Sequence, residues 1–259
     1  MESGVEYWTA KAMLDWQVEM GADEAIGDTP IDRYALEDKK PAPKIAATPA
    51  TPPVVPTPAE VDAVAEARAA ARAAQDLAGL QAAMGAFPHC QLSVAARNLV
   101  FSGGVAGAPV MFITDAPDRE DDRAGALFSG RTGPLFDKMI AAIGLSRSGD
   151  NGVYLAPVVP WNPPHNLDPN PDDLAMMLPF LQRHIELAAP KLIVLMGNSP
   201  CHALIKKSGM TRLRGTWTQA EGLPALPMFA PSYLLNTPAA KRDTWADLLS
   251  LKARLKDLT

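Results

Sequence analysis

A short apolar run, Val110 to Ile113, stops abruptly at Thr114-Asp115-Ala116-Pro117-Asp118. An acidic, glycine-punctuated loop follows before apolar helical spacing resumes at Gly133–Ile143. A strand that runs out into a carboxylate places that group at its carboxyl end, where open parallel sheets build their sites. Three more β-type runs follow, at Val153–Val159, Leu192–Met196 and Leu226–Phe229. Helical patterns at Asp172–Ala188 and Ser199–Lys207 separate them, and Ala239–Leu255 closes the chain. Short apolar strands alternating with helices imply a parallel sheet covered on both faces. The expected fold class is α/β: a three-layer α/β/α sandwich with a four-stranded, mostly parallel sheet and an N-terminal helical extension. Asp172 and Asp173 load the first turn of the long helix, where its dipole favours anions, and Pro190 keeps it from running into the third strand.

The chain before Phe87 has a different character. Trp8, Met13, Trp16 and Met20 recur at helical spacing within Tyr7–Met20, so residues 1–40 read as a helical segment. The 25 prolines are unevenly spread, with seven of them between Pro41 and Pro58, and residues 41–58 read as a semi-rigid linker. Residues 59–86 are Ala-rich, with Gly79 as the exception within Ala59–Met84, and read as one helix. Arg68 and Arg72 lie one turn apart on it, more consistent with a solvated face than with a ligand-facing pair. Residues 87–259 carry the alternating pattern and form the expected compact domain.

Composition excludes some classes of function. No apolar run approaches the roughly 18 residues that span a bilayer, and Glu2, Glu6 and Asp15 stand where a signal peptide would be basic and then apolar. Two cysteines, Cys90 and Cys201, supply neither a disulfide framework nor a metal knuckle and read as buried thiols of a cytoplasmic protein. Net charge is −5, but residues 1–86 hold 7 Lys+Arg against 14 Asp+Glu, and residues 87–259 hold 17 against 15. The second part is compatible with phosphate contact without demanding it.

From Phe87 to Leu255 the order of elements resembles the bacterial uracil-DNA glycosylases of family four. The resemblance is carried by Thr114–Asp118, by Ala126-Leu127-Phe128-Ser129-Gly130, by Pro163-Pro164, by Thr211–Gly215 and by Ala230-Pro231-Ser232-Tyr233-Leu234-Leu235. It implies a protein that flips uracil or a related deaminated base out of DNA and hydrolyses its N-glycosidic bond in base excision repair. Asp115 takes the place of the family's Glu, beside the oxocarbenium-like sugar; a plain loop cap is its other reading. Asp118 replaces a glycine, either as a second acidic group or as an obstruction. The backbone at Ala116 would hold the base oxygen, and Phe128 would stack the base. Arg212 and Arg214 would meet phosphates, unless they are exposed arginines on a turn. Ser232, Tyr233 and Leu234 would fill the hole left by the flipped nucleotide.

The departures fall on chemistry. Pro157 stands where relatives carry the base-reading Asn, and Ala230 where they carry a His that steadies the leaving base. Asn162 and His165 sit near the lost reader, as replacements for it or as loop surface. Of the iron–sulfur cysteines Cys90 alone matches, with Trp161 and Met176–Met177 at other positions, so no metal and no cofactor are expected. The implied partner is DNA carrying uracil, single- or double-stranded, with no membrane and with residues 1–58 available to a protein partner. The alternatives are a catalytically silent relative that binds DNA or a protein, and a hydrolase of free nucleosides or nucleotides.

Overall fold

A computed structural model describes residues 62–257, together with Lys11 and Trp16. Contacts divide the chain into units Met1–Pro56 and Thr57–Thr259, and residues 62–257 belong to the second. The expected linker, and the expected helix over Tyr7–Met20 apart from Lys11 and Trp16, lie outside the described residues.

The expected helix at Ala59–Met84 is two helices, α1 (Ala63–Ala73) and α2 (Leu77–Gly85). Asp76 breaks it, because its carboxylate accepts from Gly79 N at 2.7 Å and starts a new helix. A short α3 (Leu92–Ala95) follows.

The sheet has six strands in the order β1-β3-β2-β4-β6-β5. Four are the expected parallel ones: β2 (Val110–Thr114), β3 (Tyr154–Pro157), β4 (Leu192–Met196) and β6 (Leu223–Met228). The two additions, β1 (Gly103–Gly104) and β5 (Thr218–Ala220), are antiparallel edges of two and three residues. Strands that short have no apolar pattern to reveal them; backbone pairing alone makes them.

The intervening helices are α4 (Arg119–Ala124), α5 (Thr132–Ala142), α6 (Pro171–Ala188), α7 (Asn198–Ile205), α8 (Met210–Leu213), α9 (Pro231–Asn236) and α10 (Lys241–Lys256). Register shows that they form two layers. Met111 pairs with Tyr154 and Phe112 with Leu155, so Met111 and Tyr154 share one face and Phe112 points to the other. The Tyr154 hydroxyl meets His184 Nε2 of α6 at 2.8 Å. Phe112 meets Phe136 of α5 edge-on at 5.4 Å. α1, α2 and α7 pack with α6, whereas α9 and α10 pack with α5. Every residue of β2, β3 and β4 is buried, which explains why these strands lack alternation. Among the described residues no helix is long and apolar enough to cross a membrane.

Candidate active site

Strand register levels the carboxyl ends of the central strands. Thr114 pairs with Pro157 on one side and Met196 on the other, and Met196 pairs with Met228. The residues that follow, Asp115, Gly197 and Phe229-Ala230, therefore meet at one edge. Gly197 N donates to Met228 O at 3.2 Å and Val158 N to Thr114 O at 2.9 Å, which continues the sheet into its loops. A cavity of about 300 Å³ opens there, walled by Asp115, Gly197-Asn198, Gly209–Thr211, Phe229-Ala230 and Ser232-Tyr233.

Asp115 is half-buried, and its carboxylate accepts from Ser199 N at 3.1 Å. Burial pushes the group up to about 6; bonds from the Ser199 hydroxyl and N–H pull against it, and the charge of Asp168 adds a smaller push. Ser199 lies in the first turn of α7, whose free N–H groups favour an anion. Gly197 precedes that helix with φ +110, and a Cβ there would land on the Asp115 carboxylate. Asn198 fixes the opposite wall, its Oδ1 accepting from Gly209 N at 3.3 Å and Met210 N at 3.1 Å.

The sequence signals for Gly197 and Ser199 were a glycine directly after an apolar strand and a Ser-Pro pair opening a helix. Nothing local tied them to Asp115.

Other expected site residues are placed differently. Asp118 is the N-cap of α4, accepting from Glu120 N at 2.8 Å and Asp121 N at 2.9 Å, and it is not a wall of the Asp115 cavity. The carboxylate expected as a second acidic group is engaged by backbone amides. Ala116 is half-buried beside Asp115. Phe128 is 7% exposed, outside the cavity walls, and stacks on Phe136 with centroids 4.5 Å apart. Its φ of +53 is costly for a bulky side chain. Arg147 holds it there, donating to Leu127 O at 3.0 Å and Phe128 O at 3.2 Å with its guanidinium 5.7 Å from the ring. From below, Asp121 accepts from Ser129 N at 2.7 Å.

Asn162 and His165 line a separate hollow with Arg119 and Asp122, and neither is a wall of the Asp115 cavity. Ala230 is buried and walls the cavity; Pro157 is buried at the end of β3. Ser232 and Tyr233 are exposed, with the Tyr233 ring stacked on Phe229 at 4.6 Å.

Leu234, expected as part of the wedge, is 1% exposed and faces α5 and α10. Arg212 is exposed on α8. Arg214 is held by α10. Its Nε donates to Asp247 Oδ2 at 2.9 Å, and a second guanidinium nitrogen meets Asp247 Oδ1 and Asp243 O.

The cluster that the family resemblance implies does not fit these residues. Cys90, Trp161 and Met177 are all buried in the apolar core, and burial raises the Cys90 thiol away from the thiolate a cluster needs. Among the described residues no three His, Cys, Asp or Glu side chains could hold a metal ion.

The family model of the uracil DNA glycosylase superfamily matches residues 101–249. The Type-4 uracil-DNA glycosylase of Thermotoga maritima is 32% identical over 152 residues, 57% of this chain and 77% of that protein. That of Sulfurisphaera tokodaii is 31% identical over 163 residues, 59% and 73% respectively. That of Saccharolobus solfataricus is 31% identical over 176 residues, 64% and 80%. The matched span runs from ahead of β1 into α10 and takes in the Asp115 edge of the sheet, and on that evidence the chain belongs to the uracil DNA glycosylase superfamily.

Proposed function

We propose that this chain is a DNA glycosylase that excises uracil, or a related deaminated base, by hydrolysis of the N-glycosidic bond. The observation that carries the reading is Asp115, a half-buried carboxylate lifted to about 6 at the sheet edge, in a cavity walled by the exposed Ser232 and Tyr233. At neutral pH it is ionised and poorly solvated, which strengthens its action on a nearby cation. A nucleotide flipped out of DNA would bring its sugar against this carboxylate. Asp115 then stabilises the oxocarbenium-like sugar or orients the attacking water.

Backbone groups at Asp115 and Ala116 hold the base oxygen, and Phe128 offers a ring edge or face after local adjustment. Tyr233, with Ser232, fills the vacated stack, and Arg212 meets a phosphate. Residues 87–259 are the catalytic unit, residues 59–86 its helical support, and residues 1–58 the segment for any protein partner. Acting on DNA, the protein would work in the cytoplasm. Several relatives are named as uracil-DNA glycosylases, which supports the substrate.

Single-turnover excision tests this directly. Excess protein is incubated with single- and double-stranded oligonucleotides carrying one uracil, and alkali-labile breaks are scored against Asp115→Asn. Breaks that vanish in the variant support the reading; equal breaks in both remove Asp115 from the mechanism.

A second reading, a catalytically silent DNA binder, is favoured by one specific feature. Ala230 walls the cavity and Pro157 ends β3, and neither side chain can donate to a base. Tight binding to uracil-containing DNA without base release would select it.

A further inference from the structure

We propose that a second groove, on the β3 side of the Asp115 cavity, binds the phosphodiester backbone of DNA through Arg97, Arg119 and Arg123. The proposal rests on DNA being the substrate.

Two adjoining hollows of about 430 and 170 Å³ share Ala95, Arg119 and Asp122. Arg97 and Arg123 line the first, and Asn162 and His165 the second. On α4, Arg119 and Arg123 are spaced i, i+4 and therefore project from one helix face. Among the described residues none of the three guanidinium groups has a carboxylate within ion-pair distance.

The acidic groups around them are engaged by backbone amides. Asp122 accepts from Arg97 N at 2.9 and 3.1 Å and from Asn98 N at 2.9 Å, so it anchors the chain beneath the Arg97 side chain. Asp118 caps α4, Asp121 accepts from Ser129 N, and Glu120 accepts from Arg131 N at 3.3 Å. The cations are thus left with unused donors, while Asp122, which lines both hollows, already spends its carboxylate on the Arg97 and Asn98 N–H groups. Planar guanidinium groups with free donors suit phosphate oxygens, and bidentate geometry adds specificity.

Position in the fold supports a DNA strand as the occupant. The loop carrying Asp115 leads directly into α4, and Asn162–His165 follow β3, so the groove opens at the same edge as the cavity. Tyr233 and Ser232 lie beyond β6, on the other side of that cavity. Three strand spacings separate β3 from β6, about 15 Å at roughly 4.8 Å each, which spans about four phosphates at ~3.4 Å of duplex rise per strand. One groove and one aromatic edge therefore flank a flipped nucleotide together with its immediate neighbours.

Anisotropy of a short labelled duplex, titrated with the full-length chain over a range of salt, tests the groove. The variant carrying Arg97→Gln, Arg119→Gln and Arg123→Gln is compared with a control carrying Arg68→Gln and Arg72→Gln on α1. The groove variant is expected to lose roughly tenfold or more in affinity at moderate salt, with the slope of log K against log salt shallower by about two to three. The control is expected to keep the parent slope. Single substitutions Arg119→Gln and Arg123→Gln, both at exposed helical positions, should each lower the slope by about one and do not depend on the triple variant folding.

If the parent binds with a steep salt dependence and the groove variants keep its slope, the groove is overturned and the DNA reading stands. An equal loss per charge in the control also overturns it. A parent chain that shows no salt-dependent binding removes both.

Discussion

The Asp115 carboxylate accepts a hydrogen bond from the backbone N–H of Ser199 at 3.1 Å, across 84 residues of sequence. The contact exists because β2 and β4 pair in register up to Thr114 and Met196, so the turns that leave them stand side by side. One strand delivers the anion and the next delivers the helix N-terminus that tolerates it. The remaining burial leaves the carboxyl group above its ordinary range.

That shift has consequences for both activity and stability. With Asp115 at about 6, single-turnover excision should climb about tenfold per pH unit below 6 and level off above it. Asp115→Asn should flatten the profile to background. A folded-state value above the unfolded 3.8 contributes stability that is fully present below 3.8 and is lost as pH rises through about 6. Asp115→Asn should therefore melt higher than the parent at pH 8, by about 3 kcal/mol of stability, with the gap closing near pH 4. A rate profile with no inflection near 6 in the parent would count against the assignment.

Gly197→Ala should damage the site without touching Asp115. The position has φ +110, and the added Cβ would fall on the Asp115 carboxylate. The expected cost is about 1–3 kcal/mol from backbone strain, with excision reduced at least as far as in a modest active-site variant. Calorimetry and the excision assay report the two effects separately. Parent-like activity in the variant would mean that Asp115 need not sit where it does.

Leu234 and Tyr233 are adjacent in sequence and should behave oppositely. Leu234 is 1% exposed, and Leu234→Ala should cost about 2–5 kcal/mol, seen as a lower denaturant midpoint. Tyr233 is 42% exposed, and Tyr233→Ala should leave the midpoint nearly unchanged while weakening binding to duplex containing an abasic analogue. A Leu234→Ala variant of parent stability and poor DNA binding would restore the wedge to Leu234.

Arg212 and Arg214 make a second contrasting pair. Asp247 is 2% exposed, so Arg214→Gln strands a buried carboxylate and should cost roughly 3–5 kcal/mol. Arg212→Gln should leave stability alone and lower the salt slope of DNA binding by about one. The reverse pattern would show that the Arg214–Asp247 pair opens in solution.

The parallel strands were legible because each is buried on both faces, which writes itself as an uninterrupted apolar run such as Leu192–Met196. The carboxylate after β2 was legible for the same reason, since the run ends where the polar residue begins. The edge strands Gly103–Gly104 and Thr218–Ala220 left no such trace, being held by backbone pairing to a neighbour. The break between α1 and α2 was written in the sequence as Asp76, but an Ala-rich context hid a single capping residue.

Local sequence therefore determined the α/β alternation, the positions of the four parallel strands and the arrival of Asp115 at a strand end. Tertiary structure alone decided which polar groups are available there. It used Asp118 to cap α4, paired Arg214 with Asp247 and turned Leu234 inward while leaving Tyr233 outside. It also set Ser199 and Gly197 against Asp115 and moved Asn162 to another hollow. Periodicity reports how a residue faces its own element, because burial averages over many neighbours. A hydrogen bond or an ion pair depends on one partner, and that partner is brought in by strand register and helix packing from a distant part of the chain.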